Sequence, residues 1–433
     1  MDLGPNITAC EDQSETFNSK QALSPPNSML IMQQPSNGIL HGQPTDEIVL
    51  VDIISSLSSP YFLQRKPSKA PLTVPLVIPE PQSGEPFDQA LAERHTQKRQ
   101  WIETNLTRLR NEFSQHLPLR LSEQLQNTAI NDPDVQSAND VYDGEPDLLA
   151  FQENLGAAWI SYHDTDTQVD LVPISLQAIS LVDIYGSIHY NPLSSWMTLK
   201  VTIDKNYEYM IPPKTSFLLG PFTSTLPVFK AAFGKSSNTP GFDFIVLDPP
   251  WNNRSAKRAK HKDSYKTSTF NVYDLFKLNI ADSLCDGGIV GIWMTNSTKW
   301  RTFLLEKLFP AWKVEMVAEW VWVKITVHGE PIFDLEHPVR KPYETLILAR
   351  PITATRPSGL ASSNDNNRQD LKDKIIFATP DIHSRKPCLK GMIKPYLPNS
   401  DPRCCEIFAR NLTEGWFSWG NEVLRSNWRG FWT

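Results

Sequence analysis

The chain has 433 residues, with 42 Lys and Arg against 48 Asp and Glu and a formal net charge of -6. This acidic balance excludes a globally basic nucleic-acid coat, and the length predicts about two or three domains of roughly 150 residues each. The five Cys are scattered without a CxxC pair, so neither a disulfide framework nor a structural zinc is expected. The first residues lack the basic and apolar regions typical of a secretory leader, and no apolar run approaches membrane length, so a soluble, unexported protein in a reducing compartment is expected.

Residues 1–87 are rich in Ser, Pro, Gln and Asn, with short apolar islands such as Ile48–Ile54. This composition buries too little apolar surface to offset an ordering entropy of roughly 1–2 kcal/mol per residue, so the region is predicted to be mostly disordered. From Phe87 to Leu125, apolar residues recur at three- and four-residue steps and predict an amphipathic helix. Residues 148–209 carry β-branched and aromatic residues with turn signals. Residues 88–208 are therefore expected to form a smaller helix-plus-β accessory domain.

From Ile211 onward, strands alternate with helices, which predicts an α/β domain with a mostly parallel sheet over residues 209–433. The predicted strands are Ser216–Leu219, Phe242–Leu247, Ile289–Met294, Val314–Ile325, Glu344–Ala349, Ile375–Ala378 and Cys405–Ala409. The predicted helices are an apolar stripe over Val272–Leu284, a segment Arg301–Phe309 that ends at Pro310, and Leu389–Leu397.

The tetrapeptide Asp248-Pro249-Pro250-Trp251 follows the predicted strand Phe242–Leu247 directly. Ligands of open α/β sheets bind beyond the carboxyl ends of the strands. The two prolines fix φ and leave the preceding carbonyls without a competing local N–H, which predicts a stiff set of acceptors. The Asp248 carboxylate and the Pro249 carbonyl could then accept both hydrogens of one planar amine. Pro250 would shape the loop, and Trp251 would offer a face on which a base stacks.

An exocyclic amine on a nucleobase is a weak nucleophile because its lone pair is conjugated into the ring. Two acceptors that hold its hydrogens favour a pyramidal nitrogen and return electron density to it. A methyl sulfonium is already a strong electrophile, so positioning and electrostatics, without a general base of shifted pKa, would carry the rate. The plain structural alternative is a Pro-rich turn with a core Trp. The position of the tetrapeptide after an apolar strand favours the functional interpretation.

Further motifs accompany this tetrapeptide in a fixed order. They are Ile211–Leu219, Asp248–Trp251 with Ser255–Arg258, Val317–Ile325, Lys341–Glu344, His383–Pro387, Glu406–Leu412 and Gly415–Val423. In these motifs the chain resembles the MT-A family of adenine-N6 methyltransferases, and within it the methyltransferase-like protein four subgroup. The resemblance covers about half of the chain. It implies a Rossmann-like domain that uses S-adenosylmethionine, with a permuted motif order in which the catalytic tetrapeptide precedes the main cofactor segment.

The resemblance also implies where the cofactor binds. Lys386 matches the family Lys near the methionine end or the target nucleotide. The residues expected to bind the remainder of the cofactor, its ribose hydroxyls above all, are Phe408, Arg410, Asn411, Asn421 and Glu422. Without the resemblance, ordinary strand-end and turn chemistry would account for Arg410 and Asn421. No catalytic metal is expected.

The chain departs from the family pattern at one place in the cofactor region. Relatives carry an acidic residue, which recognises the cofactor adenine, just after the strand that corresponds to Ser216–Leu219. This chain has Gly220-Pro221-Phe222 there. Adenine recognition is therefore expected to depend on backbone groups or on a nearby residue.

A basic segment follows Trp251 and is opposed only by Asp263. The residues in it that are expected to bind nucleic-acid phosphates are Arg254, Lys257, Arg258, Lys260 and Lys262. Such contacts would make the affinity fall steeply with salt, whereas the structural alternative is a solvated charged loop. The same segment resembles a weak nuclear-import signal, so the nucleus is the expected location and the cytoplasm the alternative.

These observations predict an enzyme that methylates N6 of adenine in nucleic acid with S-adenosylmethionine. The subgroup resemblance favours adenosine in RNA, including 2′-O-methyladenosine in small nuclear RNA, over adenine in DNA. A non-catalytic nucleic-acid-binding subunit is an open alternative that Pro221 supports. Protein-glutamine methylation is disfavoured by Asp248, where Asn would be expected, and by the basic segment. A monomer is expected, with a heterodimer as the alternative.

Overall fold

The computed structural model describes residues 38–56, 72–77, 89–112, 171–175, 177–203, 205–235, 237, 239–251, 270–337, 340–352, 370–381 and 385–432. All of these residues belong to one compact unit. The predicted division at residues 87 and 208 stays a prediction.

The strands of the first half are β1 (Ile39–His41), β2 (Ile48–Val51), β3 (Leu171–Pro173), β4 (Ile179–Ser180), β5 (Ile188–Tyr190), β6 (Met197–Thr202), β7 (Asn206–Ile211) and β8 (Ser216–Leu219). Those of the second half are β9 (Phe242–Leu247), β10 (Leu284–Met294), β11 (Val314–Lys324), β12 (Tyr343–Pro351), β13 (Lys374–Ala378), β14 (Cys404–Ile407) and β15 (Trp416–Gly420). They form a 12-stranded sheet of order β1-β2-β13-β11-β12-β10-β9-β14-β15-β8-β5-β3 and a 3-stranded sheet of order β4-β6-β7.

The centre of the large sheet determines where a site can form. The neighbours β8, β15, β14, β9 and β10 all run parallel to one another. The C-terminal strands β14 and β15 lie between β9 and β8, so segments distant in sequence become neighbours. Because parallel strands end at the same edge, the residues that follow β8, β9, β14 and β15 lie side by side. All six residues of β9 are buried, as expected for a central parallel strand.

The helices are short except for α2. They are α1 (Ile53–Ser56), α2 (Gln89–Glu112), α3 (Leu181–Ile184), α4 (Phe222–Phe233), α5 (Ile280–Ser283), α6 (Thr298–Phe303), α7 (Phe309–Trp312) and α8 (Lys390–Ile393). Within the described residues, 3₁₀ segments occupy Val272–Lys277, Lys394–Tyr396, Arg425–Asn427 and Arg429–Phe431, and a π-helical segment occupies Leu304–Leu308. No described helix is both long enough and apolar enough to cross a membrane.

Two helix predictions need correction. The single helix predicted over Val272–Leu284 is a 3₁₀ helix followed by α5, and Leu284 already begins β10. Its apolar residues do not share one face, since Phe276 is 41% exposed. The helix predicted to stop at Pro310 continues to Trp312. A wider turn precedes the proline, with the Phe309 N–H bonded to the Leu304 carbonyl five residues back.

The other strand and helix predictions of the α/β region are confirmed to within a few residues, and the sheet is covered on both faces. On one face, Ile245 and Leu247 of β9 pack with α4 and with Trp300. On the other face, Phe244 and Val246 pack with α8. The alternation follows from the period of two along a strand. It places Asp248 on the same face as Val246.

The N-terminal half contributes to this sheet as well. The apolar island at β2 is fully buried beside β13, although it lies in a region predicted to be mostly disordered. A strand can bury its side chains by adding to the edge of an existing sheet, even where its own region has too few apolar residues to form a core. The composition of that region does not indicate such pairing. Helix α2 is confirmed within the predicted helical range, with Ile102 and Leu106 buried against β11 and β13. The remainder of that range, after residue 112, falls outside the described residues.

Candidate active site at the strand tips

Four strand ends build the site. The Asp248 N–H donates to the Ile407 carbonyl at 3.2 Å, and the Ala409 N–H donates to the Trp419 carbonyl at 2.9 Å. Phe408 leaves β14 with φ of +64°, a left-handed conformation that a bulky side chain rarely adopts. Gly420 is required at the adjacent tip, because a Cβ there would lie 2.6 Å from the Ala409 carbonyl oxygen. The backbone at these tips is therefore closely packed and conformationally restricted.

Asp248 lies at the end of a row of side chains with alternating charges. Its Oδ2 accepts a hydrogen bond from Nζ of Lys386 at 2.9 Å. The same Nζ lies 3.0 Å from Glu344, and Glu344 in turn lies 2.6 Å from Nζ of Lys324. Among the described residues, no hydrogen bond to Oδ1 of Asp248 is present, so this oxygen is available to a ligand. The side chain of Asp248 is 26% exposed, which allows a ligand to reach it.

The charge states of Glu344 and Lys386 are determined by the neighbouring charged groups. Burial alone would raise the pKa of Glu344, but Lys386 and Lys324 outweigh it and hold that pKa well below its usual range. Burial would lower the pKa of Lys386, but Asp248 and Glu344 outweigh it and raise that pKa above the usual lysine value. Both groups therefore stay ionised at neutral pH, and Lys386 keeps its proton.

The structure corrects one premise about the tetrapeptide. The carbonyl of Pro249 accepts a hydrogen bond from the Trp251 N–H at 2.8 Å, so it does have a local donor. One lone pair of this carbonyl remains for a ligand. The local bond also makes the turn stiffer than two prolines alone would.

Trp251 is placed differently from the expectation. Its side chain is 5% exposed, its Nε1 donates to the Trp293 carbonyl at 2.7 Å, and its ring lies 5.7 Å from that of Trp300. This arrangement anchors the loop after Asp248 to the core. A stacking role for Trp251 stays a prediction, and it requires the buried ring to expose a face.

An aromatic cleft lies on one side of the strand tips. Phe222 stacks on Phe408 and on Trp419, with ring centroids 5.2 Å and 4.9 Å apart. Phe270 meets Phe408 edge to face at 4.9 Å. Asn421 also lines this cleft. Its walls suit a flat aromatic ligand.

A polar cavity lies on the other side, and Phe408 borders both spaces. Asp248 and Lys386 line the polar cavity, together with Arg410 and Asn411. Arg410 lies 2.9 Å from Glu422, and the predicted pair therefore meets in space. The second Glu422 oxygen lies 2.9 Å from Arg425, a residue that the sequence did not single out.

S-adenosylmethionine joins an aromatic base and ribose to a charged methionine, and the two spaces match these halves. The apolar cleft accepts a flat ring, while the polar cavity presents carboxylates and cations within reach of Phe408. The residues present therefore fit the cofactor. At the departure from the family pattern, Pro221 lines the cleft without supplying a side-chain acceptor, as expected from the sequence.

Three charged residues at the candidate site were missed by sequence reasoning: Lys324, Glu344 and Glu406. Lys324 and Glu344 lie in motifs of the family, but the pattern of a strand does not indicate that these two side chains form an ion pair. Glu406 lines the polar cavity beside Asp248, and a charged residue in an otherwise apolar strand was the available signal. The predicted phosphate-binding residues fall outside the described residues, as does His383. Those residues are Arg254, Lys257, Arg258, Lys260 and Lys262.

Comparison with known proteins agrees with this geometry. Residues 242–422 match the MT-A70 family model. A mouse protein named N(6)-adenine-specific methyltransferase METTL4 is 40% identical over 219 residues, which cover 50% of this chain and 44% of that protein. The N6-methyladenosine RNA methyltransferase MTA1 of Pyricularia oryzae is 36% identical over 255 residues, which cover 57% of this chain and 63% of the relative.

A DNA N6-methyl methyltransferase of Caenorhabditis elegans is 30% identical over 220 residues, which cover 50% of this chain and 53% of that protein. The chain thus spans about half the length of the curated relatives it matches. The matched range begins with β9 and ends at Glu422, so it contains the tetrapeptide, Lys386 and the Arg410–Glu422 pair. The chain therefore carries a domain of the MT-A70 family over residues 242–422.

Proposed function

We propose that this protein transfers a methyl group from S-adenosylmethionine to N6 of adenine in nucleic acid. The observation that carries the proposal is the Asp248 carboxylate at the tip of β9. One of its oxygens is held by Lys386 at 2.9 Å, and the other is available beside the polar cavity. The names of the three relatives, all N6-adenine or N6-adenosine methyltransferases, support this chemistry.

The residues at the tip would act by position and charge. Oδ1 of Asp248 and the second lone pair of Pro249 would accept the two hydrogens of the adenine amine, which favours a pyramidal nitrogen. The bound cofactor would supply an electrophilic methyl carbon on a sulfonium. Lys386 orients the Asp248 carboxylate, while Pro250 and the anchored Trp251 hold the loop. Fixed acceptors of this kind need no reorganisation during the reaction.

The cofactor would be held by the residues at the other tips. Phe222 and Phe408 would form an aromatic wall against which its adenine lies. Asn411 and Asn421 would approach the ribose from the two sides of Phe408. Arg410 would contribute its charge at the polar cavity while Glu422 restrains it.

We infer that RNA adenosine is the preferred substrate and that DNA adenine is the alternative. The mouse and Pyricularia relatives share more identity with this chain than the Caenorhabditis relative does, and the Pyricularia name specifies RNA. The resemblance to the methyltransferase-like protein four subgroup further favours 2′-O-methyladenosine in small nuclear RNA. The target base would enter unstacked, at a cost of a few kcal/mol if it is flipped from a duplex.

One assay tests the reaction and the substrate together. Purified protein is incubated with labelled S-adenosylmethionine and matched single-stranded RNA and DNA oligonucleotides, with and without 2′-O-methylation at the target adenosine, and the products are identified by nucleoside mass spectrometry. We expect N6-methyladenosine from RNA at the higher rate. Methylation of DNA alone would reverse the substrate preference, and the absence of any methylated adenine would remove the enzymatic proposal.

A non-catalytic nucleic-acid-binding subunit is the second candidate. Pro221 favours it, since this residue stands at the start of α4 without a side-chain hydrogen bond to the helix and without the acceptor that relatives carry. Calorimetric titration with S-adenosylmethionine separates the two candidates. A scaffold would give no heat of binding, whereas the enzyme would bind the cofactor.

We also propose a nuclear location and a monomeric state. The basic segment after Trp251 supports nuclear import, with the cytoplasm as the alternative. Microscopy of the tagged chain with and without the Lys257–Lys262 charges tests the location. Light scattering of the purified protein tests the monomer against a heterodimer.

A further inference from the structure

The polar cavity contains a further carboxyl group, that of Glu406, which has no role in the proposed reaction. Glu406 lies in β14, opposite Val246 of β9 and Ser418 of β15. These neighbours are uncharged. Because Asp248 lies on the same face as Val246, the two carboxyl groups line one cavity, and the charge of Asp248 acts on Glu406.

The charged groups around Glu406 are paired with partners other than Glu406. Lys324 and Lys386 are balanced by Glu344 and Asp248. The other charged or titratable groups that line the cavity are Arg385, which is paired with Asp381, Arg410, which is paired with Glu422, and the Cys388 thiol. Within the described residues, no cation lies at ion-pair distance from Glu406. An ionised Glu406 would thus be a negative charge without a direct cation partner.

We propose that Glu406 is a specificity-determining residue that favours the cationic sulfonium cofactor over its neutral thioether product, S-adenosylhomocysteine. The inference rests on the proposed function, because it takes the polar cavity as the cofactor site. A sulfonium in this cavity supplies the positive charge that Glu406 lacks. Loss of the methyl group removes that charge, so the product is bound less tightly and leaves more easily.

This preference is coupled to a proton. Burial, and the Asp248 charge next to it, raise the pKa of Glu406 to about 8, although Lys386 opposes the rise. In the free cavity at neutral pH, Glu406 is therefore mainly protonated. Entry of a sulfonium favours the carboxylate, and the proton passes to the buffer. The neutral thioether does not stabilise the ionised form of Glu406, so its binding releases fewer protons.

Calorimetry measures this proton directly. Titrations with S-adenosylmethionine and S-adenosylhomocysteine are performed at pH 6.5 in two buffers of different ionisation enthalpy. At this pH the α-amino groups of both ligands are protonated, so they contribute little to the difference. We expect the wild type to release up to one more proton with the sulfonium than with the thioether. The comparison needs no variant, so it remains valid if substitutions at Glu406 disturb folding.

The variant Glu406→Gln resembles the protonated form in size and hydrogen bonding. Binding of either ligand to this variant should release the same number of protons. The ratio of its affinities for S-adenosylmethionine and S-adenosylhomocysteine should fall about tenfold, the change that corresponds to one pKa unit. Glu414→Gln, at an exposed position in the next loop, should behave as wild type. Equal proton release by wild type with both ligands would overturn the inference. No binding of either ligand would instead overturn the proposed function itself.

Discussion

Lys386 holds Asp248 through one oxygen only, with Nζ 2.9 Å from Oδ2. This contact decides which part of the carboxylate can act on a substrate. Oδ2 is occupied by a cation that also binds Glu344, so Asp248 cannot rotate freely. Oδ1 faces no described partner and serves as the acceptor for the adenine amine. The salt bridge thus orients the carboxylate and leaves Oδ1 for the substrate.

Replacement of the acceptor should slow the chemical step. We expect Asp248→Ala to reduce single-turnover methyl transfer by roughly 10²–10³-fold, because one fixed acceptor is lost from the amine. The affinity for S-adenosylmethionine should change much less. Quenched-flow assays with saturating RNA measure the rate, and calorimetry measures the cofactor affinity. A variant that reacts at the full rate would refute the role of Asp248.

Lys386→Met should act through Asp248 and not through lost contact with the substrate alone. The substitution removes the ammonium that lies 2.9 Å from Oδ2 of Asp248, so the carboxylate can rotate away from the adenine amine. Single-turnover methyl transfer in the same quenched-flow assay should therefore slow by roughly tenfold, because a charge-assisted hydrogen bond is lost. Lys386→Arg keeps a cation at this position and should restore part of the rate, whereas a full rate in Lys386→Met would contradict the orienting role. Lys390→Met, at an exposed position nearby, is the matched control.

Arg410 and Arg425 share Glu422 but differ in their position. Arg410 lines the polar cavity, whereas Arg425 contacts the other oxygen of Glu422. We expect Arg410→Ala to weaken S-adenosylmethionine binding by about tenfold and Arg425→Ala by less, because only the first removes a charge from the cavity. Calorimetry on both variants gives the ratio. Equal losses would mean that Glu422, and not Arg410, is the group that matters.

The position of Asp248 at the sheet edge could be predicted because it depends on local order. A carboxylate that directly follows a buried strand must lie at the sheet edge, and the Asp248 prediction needed no knowledge of the other strands. Arg410 and Glu422 are different. Their meeting depends on β14 and β15 being adjacent, and only the family resemblance, not residue spacing, pointed to a shared role for these two residues.

Other features were beyond local reasoning. The partners Lys324 and Glu344 lie on separate strands, so their ion pair follows from the antiparallel pairing of β11 with β12. The burial of β2 depends on the edge of β13, which the composition of residues 1–87 does not reveal. Trp251 was assigned a stacking face because aromatic residues near nucleotides often stack. The Trp293 carbonyl that binds its indole is visible only in three dimensions.

The N-terminal helix adds a pH-sensitive contact near Glu344. Nε2 of His95 donates to the Leu335 carbonyl at 2.6 Å, because a carbonyl can only accept. Nδ1 must then accept from the Tyr343 hydroxyl at 2.8 Å, which fixes the neutral tautomer. Burial, with Lys341 nearby, lowers the pKa of His95. Because Tyr343 directly precedes Glu344, this contact restrains the start of β12.

The stability of the protein should follow the protonation of His95. A histidine whose folded pKa is depressed binds fewer protons than in the unfolded chain, so its stabilising contribution is complete above pH 6.5 and is lost as the pH falls below that value. Urea unfolding at pH 8 and pH 5.5 should show a larger loss for the wild type than for His95→Gln. Equal losses in the two proteins would show that other groups carry the pH dependence.

The basic segment should control how strongly nucleic-acid binding depends on salt. We expect the triple variant Lys257→Gln, Arg258→Gln and Lys260→Gln to bind single-stranded RNA more weakly and to reduce the slope of log affinity against log salt by about 0.7 per lost phosphate contact. Fluorescence anisotropy over a range of salt concentrations gives the slope, while cofactor affinity should be unchanged. An unaltered slope would mean that these residues are a solvated loop and that phosphates bind elsewhere. The matched control replaces three exposed lysines with Gln: Lys200, Lys205 and Lys235.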